Sequence, residues 1–318
     1  MKSSKIIATG AYLPARIITN DELANTIDTS DEWIASRTGI RRRHVVEAGE
    51  LTSDLGVKAV QDALTSAGIS LDSIDGLIVA TTTPDVVFPS TAAIIQEKLG
   101  IKTGFAFDLN AVCSGFLYAY VMADSLIRTG QVKRIAVIGT ETMSRVLDWN
   151  DRKTCVLFGD GAGAIILEAS PQSDGLLASE IQCDGALSNI LNIPGGISAG
   201  NMDAKIAMQG REVYRHAIEK MVLSINKLLE QTNLETSNLD WFIPHQANIR
   251  IIEAVSERLA LPKEKLIVTV DKHANTSAAS IPLALDDLYK SQKLKRGQII
   301  ALSAVGAGLT WGSAILEF

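Results

Sequence analysis

Cysteine is scarce in this 318-residue chain, with three residues at 113, 155 and 183. An odd number without close spacing excludes a disulfide framework and a CxxC metal motif, so reduced thiols are expected. No apolar run approaches the ~20 residues that cross a bilayer. The opening "MKSSKIIATGAYLP" lacks the apolar segment and small-residue cleavage site of a secretory leader. These absences lead us to expect a soluble, cytoplasmic protein with no membrane partner. Basic residues are outnumbered, 30 Lys and Arg against 36 Asp and Glu, which argues against a general nucleic-acid binder while leaving room for a local basic patch.

What is present is enough apolar sequence, 47% of residues, for one large domain or two ordinary ones. It is organised as an internal repeat. In the first half the helical pattern "DLGVKAVQDALTSAGI" leads to the strand "IDGLIVAT", the helix "STAAIIQEKLGI", the strand "GFAFDL", a helix following Cys113, and the strand "RIAVIGT". In the second, "YRHAIEKMVLSINKLLEQT" leads to "LDWFIPHQ", "NIRIIEAVSERLAL", a strand "KLIVTV", "HANTSAASIPLALDDLYKSQKL" and the strand "QIIALSA". Apolar runs alternating with amphipathic helices predict an α/β fold with a central, mainly parallel sheet in each half. The halves are set at residues 1–170 and 171–318.

The register of the repeat brings out three residues. Ile74 aligns with Leu239 and Ile135 with Ile299, which sets Cys113 opposite Asn275 and Ala80 opposite His245. All three polar residues fall at strand ends or the helix starts after them, where open α/β sheets place their sites. Cys113, in "NAVCSG", sits where free N–H groups and a helix dipole favour a thiolate; a small buried apolar role is the alternative. Asn275 also fits an ordinary N-cap. Of the four histidines, His44 and His216 read as solvated or structural, His273 either supports the site or faces solvent, and His245 has the site-like setting, after a proline and beside Gln246 and Asn248. "FGDGAGAIILEA" precedes a β-rich run rather than a helix, so it reads as a turn into a strand and not a dinucleotide fingerprint. "AVGAGLTWGSAILEF" reads as two strands joined by a glycine turn whose backbone N–H groups can approach a ligand.

Over essentially its whole length the chain resembles the β-ketoacyl-acyl carrier protein synthase III family, thiolase-fold condensing enzymes. The motifs that carry the resemblance are "DTSDEWIASRTGIRRRH", "CSG", "FGDGAGA", "PHQANIR", "HANTSAASIPLAL" and "GLTWGSAILEF". Relatives can carry three successive glycines where this chain has "GAG". The resemblance implies a thiolase-like fold of two pseudo-symmetric halves and a decarboxylative condensation of a short acyl-CoA with malonyl-acyl carrier protein. No cofactor or metal is implied, acyl-CoA being a substrate.

In that reading Cys113 takes the acyl group, with the backbone N–H groups of Cys113 and Ala307 as the oxyanion hole. Neutral His245 and the Asn275 amide stabilise the enolate left by CO₂ loss; a cysteine in place of Asn275 would instead suit a proton-abstracting thiolase. CoA would meet Trp33 and Arg152 at its adenine, Arg37 at its phosphates, and Gly210 and Asn248 along its pantetheine arm. Phe88 would close the acyl pocket of a second subunit, implying a homodimer. Acyl carrier protein would dock on residues Gln246, Ala247, Asn248, Ile249 and Arg250 with Arg215, and Arg258 as a further candidate. The rivals are a related condensing enzyme with a longer or specialised primer and a non-catalytic acyl-CoA or carrier-protein binding module.

Overall fold

The computed structural model describes residues 3–172 and 174–318. The chain opens with β1 (Ser3–Tyr12) and an excursion in which the ribbon β2 (Arg16–Thr19) and β3 (Arg42–Val45) encloses helices α1 (Asn20–Ala24) and α2 (Asp31–Thr38). The first repeat follows as α3 (Thr52–Ala67), β4 (Gly76–Ala80), α4 (Thr91–Leu99), β5 (Phe105–Leu109), α5 (Gly115–Arg128), β6 (Arg134–Thr142) and β7 (Asp160–Ser170). Next come β8 (Gly175–Cys183) and a small ribbon of β9 (Leu191–Asn192) and β10 (Ala207–Met208). The second repeat then runs α6 (Gly210–Thr232), β11 (Trp241–Pro244), α7 (Ile249–Arg258), α8 (Val270–His273), α9 (Ser280–Lys290), β12 (Ile299–Gly306) and β13 (Thr310–Glu317).

The repeat becomes two sheets, ordered β1-β7-β6-β4-β5 and β11-β12-β13-β8. The expected mainly parallel pairing is corrected to a mixed one. Only β5, β4 and β6 in the first sheet, and β11 with β12 in the second, run parallel; the glycine turns return the chain antiparallel through β7 and β13. The strand expected at "KLIVTV" is also absent. Leu266 makes one parallel bridge to Phe242, as β5 does along β4. Beyond it the backbone is taken by the Gln246 side chain, which donates to the Ile267 carbonyl and accepts from the Thr269 and Val270 amides. A side-chain amide thus replaces the strand ladder.

Five layers result. Helices α3 and α4 cover the outer face of the first sheet, α6 and α7 that of the second, and α5 and α9 lie between the sheets. Because α5 has a sheet on either side, its apolar residues face both ways: Phe116, Leu117, Tyr120 and Ile127 are all inaccessible to solvent or nearly so, each such side chain contributing about 1.5–3 kcal/mol of burial. Its one buried acid, Asp124, accepts from Ser4 at 2.7 Å and Arg128 at 2.6 Å. Burial of α5 and α9 fixes their N-termini, and the site is built there.

Candidate active site

Cys113 sits in a single 3-10 turn, Val112–Ser114, between β5 and α5. Val112 enters that turn at φ +49°, a left-handed conformation costly for a β-branched residue and one that recurs at functional sites. Ala274, its counterpart in the second repeat, has φ +59°, and Ser277 has φ +50°. Three of the chain's strained turns therefore flank the same place. The Cys113 turn is tied to the β12–β13 turn: the Ser114 and Thr310 hydroxyls lie 2.8 Å apart, and Thr310 reaches the Ala111 and Ala307 carbonyls at 2.9 and 3.0 Å. Between the turns there is no room for a side chain. A Cβ on Gly306 would lie 2.7 Å from the Ala111 carbonyl oxygen and 2.8 Å from the Cys113 nitrogen.

His245 leaves the end of β11, its amide bonded to the Ser303 carbonyl at 2.8 Å. Its Nδ1 lies 2.6 Å from the Ser280 hydroxyl at the start of α9, which fixes the ring and turns Nε2 toward other partners. Asn275 is held where the chain enters the "FGDGAGA" segment, its amide donating to the carbonyl of Leu157, just before that segment, and its carbonyl accepting from the Gly159 amide within it. Its Oδ1 accepts from the Ser277 amide at 2.9 Å, leaving the NH₂ group as its available donor.

Two cavities meet at the thiol. One, about 520 Å³, is lined by Cys113, Thr82, Phe158, Met143, Ile206 and Ala307 among others. The other, about 170 Å³, is lined by Cys113, His245, Asn275, Gly210, Asn248 and Gly306 among others. Burial dominates the electrostatics. It pushes the Cys113 thiol up to about 12, against a hydrogen bond to Ser277, while the Glu141 carboxylate raises it further. Loss of hydration thus opposes the thiolate that free N–H groups and a helix start favour. Burial alone holds His245 at about 3, so the imidazole is neutral. Burial also takes His273 to about 4 and removes it from solvent.

The remaining sequence-predicted residues fall in separate places. Trp33 is half-buried, with the Arg37 guanidinium 4.6 Å and the Arg152 guanidinium 5.0 Å from its ring. Arg152 is anchored to the Asp28 carbonyl and carboxylate at 2.6 and 3.0 Å. Phe88 is 83% exposed beside the exposed Val86 and Val87. Arg250 is exposed and donates to the Ser36 carbonyl, while Ala247, Asn248 and Ile249 are half-buried. Arg215 is exposed but paired with Glu212, and Arg258 is exposed on the last turn of α7. Gln246 is corrected: it is inaccessible, with both ends of its amide bound to backbone, so no docking partner reaches it. Sequence reasoning missed Ser280, Ser277 and Glu141. A carboxylate inside the apolar run "RIAVIGTETM" was the one signal that marked Glu141.

Among the described residues no group of three or more His, Cys, Asp or Glu is placed to hold a metal, and no helix is long and apolar enough to cross a membrane.

A thiol at one strand–helix junction of a duplicated α/β fold, lining one cavity with a neutral imidazole and a carboxamide from two junctions of the other half, is an arrangement that suits a condensing acyltransferase of the thiolase fold. Comparison with known proteins narrows the class. The family model "3-Oxoacyl-[acyl-carrier-protein (ACP)] synthase III" matches residues 107–185, and its C-terminal counterpart matches residues 229–318. The β-ketoacyl-[acyl-carrier-protein] synthase III of Ehrlichia canis is 54% identical, and that of Wolbachia pipientis wMel 53%, each over 100% of both chains. The crystal structure of 3-oxoacyl-[acyl-carrier-protein] synthase III from Aquifex aeolicus superposes with a TM-score of 0.95 at 43% identity, covering 99% of this chain and 100% of that one. The chain belongs to the β-ketoacyl-[acyl-carrier-protein] synthase III family.

Proposed function

We propose that the protein takes a short acyl group, acetyl or close to it, from acyl-CoA onto Cys113 and condenses it with malonyl-acyl carrier protein. The products are 3-oxoacyl-acyl carrier protein, CO₂ and CoA, the initiating condensation of type II fatty acid synthesis. The observation that carries this reading is the position of Cys113 where the two cavities meet. The narrower, with His245 and Asn275, suits a pantetheine arm passing Gly210 and Asn248; the wider accepts the acyl group. The division of labour follows the duplication, residues 1–170 bringing the thiol and residues 171–318 the His–Asn pair.

In the first half-reaction the thiol sulfur attacks the thioester carbon, and the oxyanion is held by the amides of Cys113 and Ala307. In the second, loss of CO₂ leaves an enolate on the malonyl thioester, and its oxygen receives hydrogen bonds from neutral His245 and the Asn275 NH₂. A protonated imidazole is not required: a buried neutral donor already favours developing negative charge. The enolate carbon then attacks the acyl-enzyme.

Trp33, Arg37 and Arg152 form the CoA mouth. A base stacked between the Trp33 ring and Arg152 needs about 7 Å, two contacts of ~3.5 Å, so Arg152 swings away from its 5.0 Å position when CoA binds. Acyl carrier protein docks on Arg250 with Ala247, Asn248, Ile249 and Arg215. A homodimer buries Phe88, whose exposure in a lone chain is costly. The protein works in the cytoplasm and uses no cofactor. A second reading, a specialised primer, has one observation in its favour: the priming β-ketosynthase of the R1128 polyketide pathway superposes with a TM-score of 0.94 at 33% identity, covering 99% of this chain and 96% of that one. A panel of acyl-CoAs with malonyl-acyl carrier protein tests both: best turnover with acetyl-CoA supports the first, a longer or branched optimum the second, and no turnover with any acyl-CoA refutes both.

A further inference from the structure

The condensation asks one thing of His245 that neutrality alone does not secure. A neutral imidazole carries a single ring proton, on Nδ1 or on Nε2. With the proton on Nε2 the ring meets an enolate oxygen as a donor; with the proton on Nδ1 it presents a lone pair to developing negative charge. Burial does not decide between the two. Another buried histidine, His273, has an Nδ1 without a hydrogen-bond partner among the described residues, so nothing on that atom selects its tautomer.

His245 differs because of Ser280. The Ser280 hydroxyl, on the first residue of α9, lies 2.6 Å from Nδ1, and both residues are buried. The second polar contact of the Ser280 oxygen is the Gln246 backbone amide at 3.4 Å. That amide is a donor, so the serine accepts there. No carbonyl or carboxylate among the described residues takes the Ser280 proton, which leaves Nδ1 as its acceptor. Were Nδ1 protonated, two N–H groups would point at one oxygen and the hydroxyl proton would be buried without a partner, an arrangement that folding penalises. The hydroxyl therefore donates to Nδ1, and the ring proton stands on Nε2.

Both partners of this contact are held by buried backbone. The His245 amide is bonded to the Ser303 carbonyl, and the Gln246 side chain donates to the Pro244 and Ile267 carbonyls while accepting from the Thr269 amide. Ser280 opens a helix whose following residues Ile281, Leu283 and Ala284 are almost inaccessible. Nε2 takes no hydrogen bond from the described residues, and His245 lines the narrower cavity with Cys113 and Asn275, whereas Ser280 lines neither cavity.

We propose that Ser280 is a positioning residue that holds His245 in the Nε2–H tautomer, so that the imidazole meets the malonyl enolate as a hydrogen-bond donor. Ser280 touches no reacting atom and acts through the ring. Acyl transfer to Cys113 forms no enolate and depends on it far less.

The role of Ser280 in turnover rests on the condensation being the reaction, and two measurements keep the two apart. In the full-length protein labelled with nitrogen-15 at histidine, long-range proton–nitrogen NMR spectra near neutral pH distinguish a protonated from a bare ring nitrogen, and the spectrum of His245→Gln identifies the His245 signals. We expect a protonated Nε2 and a bare Nδ1; a protonated Nδ1 overturns the proposal whatever the variants do. Ser280→Ala and Ser280→Thr are then compared with the unmodified protein for acetyl transfer from acetyl-CoA to Cys113 and for CO₂ release from malonyl-acyl carrier protein. Loss of the hydrogen bond should slow CO₂ release by Ser280→Ala about three- to tenfold, at a nearly unchanged KM, with a much smaller loss in acetyl transfer and a His245 signature of mixed tautomers. An unaltered signature, unaltered CO₂ release, or equal losses in both half-reactions of the folded variant overturns the proposal. In Ser280→Thr, which keeps the hydroxyl, signature and rate should move together; the Nε2–H signature with the slow rate of the alanine variant overturns it. If Ser280→Ala fails to fold, the spectrum of the unmodified protein and the threonine variant decide. An unmodified protein that shows the expected signature yet neither acylates nor releases CO₂ would refute the functional reading and leave the tautomer standing.

Discussion

Replacing Gly306 with alanine adds one methyl group at the most confined point of the proposed oxyanion hole. Its Cβ would stand 2.7 Å from the Ala111 oxygen, 2.8 Å from the Cys113 nitrogen and 3.0 Å from the Ser114 nitrogen, where ordinary contact begins at 3.4 Å. All three neighbours are backbone atoms, so no flexible side chain can yield. The end of β12 and the Cys113 turn must separate by 0.4–0.7 Å, the differences between these distances and ordinary contact. Overpacking of this kind costs about 1–3 kcal/mol of stability. The catalytic effect is larger. Displacing a group by ~1 Å costs about 10²-fold, and loss of one oxyanion donor costs about 10²–10³-fold. We therefore expect Gly306→Ala to remain folded, with a lowered melting temperature, and to acylate Cys113 about 10²-fold more slowly at saturating acetyl-CoA. Circular dichroism and rapid-quench mass spectrometry measure the two effects. Acylation within threefold of the unmodified rate (roughly 0.7 kcal/mol in the barrier) would refute the placement of the oxyanion hole between these turns.

His245→Ala and Asn275→Ala should suppress malonyl decarboxylation much more than acyl transfer to Cys113, since the enolate forms only in the later step; equal losses in both would count against that division. Arg250→Glu should raise the KM for malonyl-acyl carrier protein and weaken its salt dependence while leaving acylation by free acyl-CoA nearly unchanged, measured across a range of ionic strength. His245 and His273 are held neutral when folded, at about 3 and about 4, whereas in the unfolded chain they take up protons near 6.5. Stability from these residues is thus complete above about pH 6.5 and is lost as pH falls toward 4. Denaturant titrations should show His245→Gln losing less stability than the unmodified protein over that interval, and parallel curves would contradict the burial of a neutral imidazole.

The repeat was legible because its apolar runs keep the same order and register in both halves, and β4 and β6 find their counterparts in β11 and β12. Cys113, His245 and Asn275 were legible through that register. The sheet directions were legible only in part: the glycine turn of "AVGAGLTWGSAILEF" implies the antiparallel return of β13, whereas nothing in the alternation of "FGDGAGAIILEA" shows that β7 pairs antiparallel with both β6 and β1. The strand expected at "KLIVTV" failed because its apolar pattern is real but its backbone partner is the Gln246 side chain, a long-range contact. The same contact buries Gln246, which sequence proximity to Arg250 had placed on the surface. Ser277, Ser280 and Thr310 were invisible for a different reason. Hydroxyls are common in turns, and only the folded distances distinguish one that orients a histidine from one that faces water.

The central claim, that Cys113 carries the acyl group, is tested most directly by peptide mapping after a brief incubation of the protein with acetyl-CoA. The account predicts a single acetyl group on the peptide containing Cys113, none on those containing Cys155 or Cys183, and none in Cys113→Ala. Cys155 is buried and Cys183 exposed, so incidental chemistry would favour Cys183. Acetylation of Cys183 or Cys155, or its persistence in Cys113→Ala, would contradict the account.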